Sequence, residues 1–481
     1  MVILRGLFVE IEENTIRNIV TNILKEYADG DSNVADIIRN TPGVFDDIDT
    51  AINEADKAHK IFMETSLETR RAMIAAMRRI AEDNVDKFAR LAVEETGMGR
   101  YEDKIKKNML AIKMTPGVED VQPAAFSDDH GLTITERAPY GVIGAIAPST
   151  NPTETILNNS ISMVSAGNTV VFNAHPGAKR VSVLAVGLLN EAIIKAGGPK
   201  NLIVTIHEPT IESAKELMTH PKVDLLTVTG GPGVVKQALQ STKKVIAAGP
   251  GNPPTVVDET ADIEKAAKDI VAGSGFDNNI VCICEKEIIV VRSVADRLKT
   301  EMRKLGAFEL SSEQIKVISK LVIDRPGRKG DEGAINKKFV GRNANIIAAA
   351  AGISVPENTK ILLCEVDKSH PLVWTEQLMP VIPLVRVDDV DEAIDFAVEC
   401  EHGFRHSASM HSLNIAKLSK MAKVINCSLF VKNGSNFNGM GFGGAGYTSF
   451  TIASPTGEGF TRARTFTRER RCALIDYFRI V

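Results

Sequence analysis

Residues 141–173 read GVIGAIAPSTNPTETILNNSISMVSAGNTVVFN, and this stretch decides the fold class of the chain. Residues 141–147 and 169–173 are short apolar runs of the kind that form buried strands. Residues 151–166, which lie between them, have the length and composition of a helix. A strand, a helix and a second strand in succession predict a βαβ unit, in which the two strands lie parallel in one sheet.

The same alternation continues on the C-terminal side of this unit. Residues 178–196 predict another helix, and residues 202–206 and 225–228 predict two further strands. A second alternation of strand-like and helix-like segments begins near residue 262 and runs to about residue 431. The predicted fold class is therefore α/β, with two parallel-sheet domains.

A small β extension is expected beside these two domains. Residues 131–139 alternate like a strand, and residues 433–481 form a glycine-rich segment that ends in a basic tail. We predict that these two segments form the extension together. Such an extension suits pairing across subunits, so a homodimer or homotetramer is expected.

Composition and charge exclude several functional classes. The chain has 481 residues and a formal net charge of −4, which gives no reason to expect a nucleic-acid partner. No apolar run approaches the roughly 18 residues that a membrane helix needs. The six cysteines do not make a disulfide framework, and no CxxC pair or zinc-type spacing occurs. We predict a reduced, intracellular protein without a structural metal.

Residues 14–27 have the spacing of an amphipathic helix. Apolar side chains recur at positions i, i+3, i+4 and i+7 from Ile16 to Tyr27. The opposite face is nearly neutral, unlike the basic face of a helix that lies on a membrane. A polar linker follows and extends to about residue 40, so we interpret this segment as a tethered docking helix for a partner. The alternative is that it simply packs on the main body.

The segment FDNNIVCICEKE at residues 276–287 is the first candidate for chemistry. We interpret Cys282 as a nucleophile, because a cysteine on a polar loop can attack a small electrophile when its thiolate is accessible and stabilised. The alternative is a packing residue, since free cysteine is among the most buried residue types.

Two other features follow predicted strands. Asn151 comes after the strand that ends at Ala147, where a side-chain amide can donate to a developing oxyanion, although Asn before Pro is also a good helix cap. Thr229, Gly230 and Gly231 join a strand to a helix, where glycines let the backbone approach a pyrophosphate. A purely structural turn explains these glycines equally well.

Asn151, the turn at Thr229, Cys282 and a later Glu376 in the motif EQLMP occur in that order. With these residues and the segment AGNTVV at residues 166–171, the chain resembles the aldehyde dehydrogenase superfamily from about residue 45 to its C-terminus. The resemblance implies that Cys282 is the nucleophile, that Cys284 is a packing residue, and that the Asn151 amide and the Cys282 backbone N–H hold the oxyanion.

The resemblance also assigns roles to the domains. It implies a nucleotide-binding domain at residues 41–270, to which residues 131–139 add a strand of the extension, and a catalytic domain at residues 271–432. Residues 433–481 would be the oligomerisation segment. The residues that it implies for binding NAD and CoA are Pro148, Ser149, Asn173, His175, Thr229, Gly230, Gly231 and Glu376.

Two departures from the family pattern point to one branch of it. Ala247 stands where hydrolytic members have the glutamate that activates water, and residues 173–176 replace a Lys-Pro-x-Glu motif that holds the adenosine ribose. Both departures resemble the CoA-acylating branch, and residues 276–287, 401–404 and 456–472 resemble the propionaldehyde and acetaldehyde dehydrogenases of bacterial microcompartments.

This branch implies a specific reaction and location. A short-chain aldehyde, with propionaldehyde favoured, would be oxidised with NAD and CoA through a thioacyl intermediate on Cys282. The enzyme would lie in the microcompartment lumen, with residues 14–27 binding a shell protein. The alternatives are a hydrolytic aldehyde dehydrogenase that makes a free acid, and an inactive cargo or scaffold protein of the shell. His402 and His406 are expected near the acyl pocket, where either could relay a proton from CoA. The alternative is a core or surface histidine whose ring nitrogens are hydrogen-bonded and which has no catalytic role.

Overall fold

The structure is a computed structural model, and it describes residues 41–481. The predicted docking helix and linker at residues 1–40 lie outside the described residues. Two α/β halves and a small antiparallel extension make up the described part, which confirms the predicted fold class. None of the helices in residues 41–481 is long and apolar enough to cross a membrane.

The first half is a six-stranded parallel sheet with helices on both faces. Its strand order is β1-β6-β5-β4-β7-β8. In chain order, the elements up to residue 248 are β1 (Val44–Phe45), α1 (Ile48–Phe62), α2 (Leu67–Asp83), α3 (Val85–Thr96), α4 (Tyr101–Met114), β2 (Ala124–Asp128), β3 (Gly131–Pro139), β4 (Val142–Ile146), α5 (Pro152–Ser165), β5 (Thr169–Asn173), α6 (Lys179–Lys195), β6 (Ile203–Ile206), α7 (Ile211–Thr219), β7 (Leu225–Thr229), α8 (Pro232–Leu239) and β8 (Lys244–Ala248).

The βαβ unit predicted from the sequence forms the centre of this sheet. Every residue of β4, β5 and α5 is buried, as expected where helices cover both faces of a parallel sheet. Strand β4 pairs in parallel with both β5 and β7, so Ile146, Asn173 and Val228 are neighbours near the carboxyl edge. The loops that follow these three strands therefore meet at one edge of the sheet.

The second half is a seven-stranded parallel sheet. Its strand order is β11-β14-β15-β10-β9-β16-β17. In chain order, its elements and the short hairpin β12–β13 are β9 (Pro254–Val257), α9 (Ile263–Gly275), β10 (Glu287–Val291), α10 (Arg292–Lys304), β11 (Ala307–Glu309), α11 (Ser312–Val322), β12 (Ile323–Arg325), β13 (Ala334–Ile335), α12 (Ala344–Ala350), β14 (Ile361–Glu365), β15 (Val381–Val387), α13 (Val390–Cys400), β16 (Ser407–His411), α14 (Ile415–Val424) and β17 (Leu429–Lys432).

The boundary between the halves differs from the one predicted at residue 270. Strand β9 pairs with β10 and β16, so the second sheet already includes residue 254, whereas β8 of the first sheet ends at Ala248. Residues 249–253 are thus the connection. The alternation of strands and helices runs through both halves without a break, and it does not tell which sheet a given strand joins.

The C-terminal segment contacts both halves and also contributes a strand to the extension. Its elements are α15 (Asn436–Gly439), β18 (Ile452–Ala453), β19 (Gly459–Phe460) and β20 (Thr467–Ile475). Only β20 enters the extension, where it pairs antiparallel with β3 over nine residues. Helix α15 packs on β16 and β17 of the second half, whereas β18 contacts β8 of the first half. Asn168 Nδ2, also in the first half, donates a 2.8 Å hydrogen bond to the carbonyl of Phe466. The third strand of the extension, β2, was not predicted.

Candidate active site

The loop that carries Cys282 is fixed by an unusual turn. Asp277, Asn278 and Asn279 all have positive φ values, of 46°, 55° and 65°. Asn and Asp are the residues besides glycine that tolerate this left-handed conformation best, which explains the polar run before the cysteine. Asn279 Nδ2 donates to the carbonyls of Ser274 and Glu285, at 2.8 and 3.0 Å, and so ties the two ends of the loop together.

A buried lysine completes this loop. Lys286 Nζ donates to the backbone oxygen of Asn279 at 2.8 Å and to its Oδ1 at 2.6 Å. Its side chain is fully buried. Burying an ammonium group is costly unless its hydrogen-bonding capacity is used, so these bonds hold the loop in one conformation. The charge also lies close enough to Cys282 to oppose the rise in the pKa of its thiol.

The two cysteines of the loop have different surroundings. Cys284 is fully buried in the hydrophobic core, and its Sγ donates to the carbonyl of Phe276 at 3.8 Å, as predicted for a packing residue. Cys282 is partly exposed. Burial of the sulfur and the negative charge of Glu376 raise the pKa of the Cys282 thiol to about 12, against the opposing charges of Lys286 and Lys107. The thiol is therefore protonated in the resting protein and loses its proton during attack.

Gly251 lies against three residues of the candidate site, which are Cys282, His406 and Glu376. A Cβ atom at this position would lie 2.9 Å from the carbonyl oxygen of Cys282 and 2.9 Å from Cγ of His406. The backbone N–H of Gly251 also donates to the carboxylate of Glu376. Only glycine fits such a close approach. The connection between the two sheets thus contacts Cys282, Glu376 and His406 at one point.

Glu376 is a partly protonated neighbour of the nucleophile. Burial raises the pKa of its carboxyl to about 7, although Lys286 and the Gly251 N–H favour the ionised form. Below this pKa the group is neutral, and above it the negative charge disfavours the Cys282 thiolate.

Glu376→Gln is expected to make Cys282 react faster with iodoacetamide above the pKa of Glu376. A rise of about 3- to 10-fold is expected at about pH 8.5, where wild-type Glu376 is ionised, because one pKa unit is a tenfold change in thiolate. At about pH 5.5 the two proteins should alkylate equally, since both carry a neutral group there. Peptide-level mass spectrometry measures the rate at Cys282, with exposed Cys472 as the internal reference. Equal rates at both pH values would contradict the coupling.

Asn151 occupies a helix-cap position without acting as a side-chain cap. It is the residue before α5, and its side chain makes no capping hydrogen bond. Its Oδ1 instead accepts from Lys107 Nζ at 2.7 Å, while its Nδ2 donates to Thr150 Oγ1 at 3.3 Å. One Nδ2 hydrogen is left for another acceptor. Lys107 links this group to the nucleophile, since its charge also acts on Cys282.

The other predicted residues lie along the carboxyl edge of the first sheet. Pro148 and Ser149 follow β4 and are partly exposed. Thr229 ends β7, and its hydroxyl shares a 2.8 Å hydrogen bond with that of Thr451. Gly231 is the N-cap of α8, has no side-chain cap, and has open space where a Cβ would stand.

Binding of a dinucleotide pyrophosphate at the turn formed by Thr229, Gly230 and Gly231 stays a prediction. Unpaired backbone N–H groups at a helix N-terminus attract negative charge, and the glycines leave room for the approach. A cleft of about 630 Å³ adjoins this helix and continues to the hairpin β12–β13. The cleft includes Lys236, Gln240, Arg325, Asp331 and His402.

Asn173 and His175 are partly committed to contacts within the protein. Asn173 Oδ1 accepts from Ser213 Oγ at 2.6 Å, and its Nδ2 donates to the Thr210 carbonyl at 3.4 Å. His175 Nδ1 accepts from the N–H of Gly177 at 3.0 Å, which leaves its Nε2 for a ligand. Asn173 ends β5 and His175 follows it, which puts both on the same edge as the glycine turn.

The two histidines near the cleft differ in their free atoms. His402 Nε2 is 3.0 Å from the carbonyl of Trp374, and its ring stacks near Trp374 and Phe404. His406 is buried, with Nδ1 at 3.0 Å from Ser407 Oγ and no partner for Nε2. Burial and the charge of Lys286 lower the pKa of His406 to about 4. His406 is therefore neutral and has one nitrogen free.

Ala247 is the residue that we expected in place of a water-activating carboxylate. It is fully buried in an apolar cluster that includes Val228 and Val235, and its N–H donates to Thr456 Oγ1 at 3.1 Å. A methyl group in this position can neither accept a proton nor orient a water molecule.

Sequence reasoning missed Lys107, Lys286 and Gly251. Lys107 lies on α4 with Lys104, Asn108 and Ala111 at helical spacing, and all four are buried. That spacing, with polar residues where a buried face is expected, was the available signal. No signal of this kind exists for Gly251, because its role depends on contacts between distant segments.

Comparison with known proteins places these features in a family. A model of the aldehyde dehydrogenase family matches residues 33–314. An acetaldehyde dehydrogenase (acetylating) from Bilophila wadsworthia is 50% identical over 444 residues, which are 91% of this chain and 91% of that protein.

Two solved structures are similar over nearly their whole length. A propionaldehyde dehydrogenase from the Clostridium phytofermentans fucose utilisation bacterial microcompartment has a TM-score of 0.88 and 45% identity, over 92% of this chain and 100% of that one. A Rhodopseudomonas palustris propionaldehyde dehydrogenase, solved with bound CoA and an acylated cysteine, has a TM-score of 0.87 and 48% identity, over 90% and 98% of the two chains.

Proposed function

The chain belongs to the aldehyde dehydrogenase family, and from this premise we propose that it is a CoA-acylating enzyme. It oxidises a short-chain aldehyde, with propionaldehyde favoured, and transfers the acyl group to CoA. NAD is the cofactor and accepts a hydride when it is bound. The observation that carries the proposal is the combination of a partly exposed Cys282 with Ala247 in place of a base.

The first half of the reaction takes place on Cys282. Its sulfur adds to the aldehyde carbonyl and the thiol proton passes to solvent, since Cys282 is partly exposed, which gives a tetrahedral oxyanion. The Asn151 amide and the Cys282 backbone N–H donate to this oxyanion. Collapse of the adduct releases the hydride and leaves a thioester on Cys282. Thr229, Gly230 and Gly231 would hold the dinucleotide phosphates, and the negative charge of Glu376 acts on the Cys282 thiol.

The second half transfers the acyl group from Cys282 to CoA. The CoA sulfur adds to the thioester, and the same donors hold the second oxyanion before Cys282 departs. We assign His406 rather than His402 to accept the CoA proton, since His406 is neutral with a free Nε2. Water competes poorly at this stage, because Ala247 offers it no base.

CoA dependence of NADH formation tests this function. Purified wild-type protein with propionaldehyde and NAD should release about one NADH per active site without CoA, since the thioester then accumulates. Adding CoA should convert this burst into sustained turnover. Sustained NADH formation without CoA would show a hydrolytic enzyme and overturn the interpretation of Ala247. No NADH in either condition would favour an inactive cargo protein.

We further propose that the enzyme resides in the lumen of a bacterial microcompartment. The support is the similarity to a dehydrogenase from such a compartment and the amphipathic pattern of residues 14–27. A shell protein would bind that helix, and β2, β3 and β20 would pair subunits into a dimer or tetramer. A fluorescent protein fused to residues 1–40 should colocalise with shells, and diffuse fluorescence would contradict the assignment.

A further inference from the structure

Helix α4 carries a group of charges that are hidden from solvent. Lys104 and Lys107 have side chains with 0% exposure, and so have their partners Asp277 and Glu154. Two cations face two anions, so the group is electrically balanced. The desolvation penalty of burying four charges exceeds their mutual attraction unless the geometry is excellent. A cluster of apolar residues in their place is often as stable. The cluster therefore calls for an explanation other than stability.

The two lysines of this cluster differ in what they touch. Lys104 Nζ lies 3.4 Å from Asp277 Oδ2. Lys107 Nζ lies 2.5 Å from the same oxygen and 3.5 Å from Glu154 Oε1, and it also donates to Asn151 Oδ1 at 2.7 Å. Only Lys107 therefore connects the cluster to the proposed oxyanion donor.

Lys107 is also the lysine whose surroundings favour the charged form more strongly. Burial alone would lower the pKa of Lys107, but Asp277 and Glu154 outweigh burial and hold the pKa above its usual value. Burial lowers the pKa of Lys104 despite Asp277. The lysine that contacts Asn151 is thus a stable cation.

We propose that Lys107 is a positioning residue for the oxyanion hole, because its ammonium group fixes which end of the Asn151 amide faces the reacting carbonyl. An ammonium group has donors only, so the amide atom that it contacts must be the oxygen. With Oδ1 held, Nδ2 is the end that remains for an oxyanion. Without Lys107, rotation of the amide would exchange a donor for an acceptor, which repels the developing negative charge.

The ammonium group of Lys107 also strengthens the Asn151 amide as a hydrogen-bond donor. A positive charge beside Oδ1 polarises the carboxamide and makes its N–H groups stronger donors, as happens in chains of hydrogen bonds. Asp277 belongs to the turn that precedes Cys282, so the same lysine ties Asn151 to the loop of the nucleophile. This proposal rests on the proposed function and names a residue that acts through Asn151, not one that touches the aldehyde.

The experiment compares Lys107→Met with Lys104→Met. Each variant loses one ammonium group beside the same Asp277 oxygen, and only the first loses the contact to Asn151. The rate of the NADH burst, measured with saturating aldehyde and NAD but without CoA, should fall about 10- to 100-fold in Lys107→Met, less than when an oxyanion donor is removed outright. Lys104→Met should stay within about 3-fold of wild type, and equal burst rates in the two variants would overturn the proposal.

A double variant distinguishes positioning from general destabilisation. If Lys107 acts through Asn151, adding Lys107→Met to Asn151→Ala should slow the burst no further. If the effects multiply instead, Lys107 acts independently of Asn151 and the proposal is wrong. Wild-type protein is assayed both with and without CoA, because a missing effect of CoA there would refute the proposed function itself and not only the role of Lys107.

A charge-balanced variant guards against a folding failure. Lys107→Met leaves the cluster with an excess negative charge, which Lys107→Met/Glu154→Gln removes. The burst rate of this double variant is compared with that of Glu154→Gln alone. A fall of about 10-fold or more supports positioning, and equal rates contradict it.

Discussion

Cys282→Ala is expected to abolish aldehyde oxidation, with a fall in kcat of ~10⁴ or more. Removing a nucleophile that forms a covalent intermediate leaves only binding and electrostatic contributions, which cannot replace the missing bond. Both the burst of NADH and the acyl adduct should disappear, as judged by absorbance and by intact mass. A variant that still accumulates the adduct would show that another cysteine is the nucleophile.

Cys284→Ala is the matched control for this prediction. It makes the same chemical change two residues away, in a side chain that is fully buried in the core. The expected result is a normal burst with a loss of about 1 kcal/mol or somewhat more in the free energy of unfolding, since a small buried group is removed. Chemical denaturation measures that loss. A lost burst in this control with normal folding would weaken the assignment of Cys282.

The parallel sheets could be predicted because burial on both faces leaves a strong pattern in the sequence. Strand β4 is a continuous apolar run, β5 has three successive apolar residues at 170–172, and α5 between them begins at a proline. Strand β2 could not be predicted in the same way. All five of its residues are exposed, and it exists because it pairs with β3, which is a contact between segments.

The domain boundary was misplaced for a related reason. Residues 254–257 read as one more strand in a continuing alternation, and hydrophobic periodicity reports burial, not the identity of the neighbour. Only the pairing of β9 with β10 and β16 assigns these residues to the second sheet. The consequence for function is that residues 249–253 connect the sheets, which is how Gly251 comes to contact Cys282, His406 and Glu376.

Only those residues of the candidate site that lie in recognisable motifs were predicted. Cys282, Asn151 and Glu376 were selected from their order in the chain, and the structure adds the buried charges that surround them. Lysine is usually exposed, so nothing in composition marks Lys107 or Lys286 as interior residues. Buried charges that come from distant segments cannot be found from local sequence, although Lys286 and Lys107 oppose the rise in the pKa of the Cys282 thiol.

Asn151→Ala is expected to slow the NADH burst by about 10²–10³-fold. Loss of one oxyanion donor has this size of effect in comparable sites, because the donor acts most strongly on the transition state. The aldehyde concentration for half-maximal burst rate should change little, since the ground-state carbonyl is a weaker acceptor than the oxyanion. Lys107 keeps Asp277 and Glu154 as partners in this variant, so the protein should still fold.

Asn158→Ala provides the matched control on the same helix. Asn158 is buried in α5 like its neighbours, but its amide donates to Thr115 Oγ1 at 2.9 Å and its Oδ1 accepts from the N–H of Phe450 at 3.0 Å. This variant should lose stability, since the N–H of Phe450 loses its acceptor and the Thr115 hydroxyl loses a donor, while its burst rate stays within about 3-fold of wild type.

The transfer of the acyl group to CoA provides a second test of the role of Asn151. Both steps of the reaction pass through an oxyanion at the same carbon, so Asn151→Ala should also slow the transfer of a preformed acyl group from Cys282 to CoA, by a similar factor. Acyl-enzyme prepared from the variant by long incubation, then mixed with CoA, measures this step alone. A slow burst with normal transfer to CoA would mean that Asn151 serves hydride release and not the oxyanion.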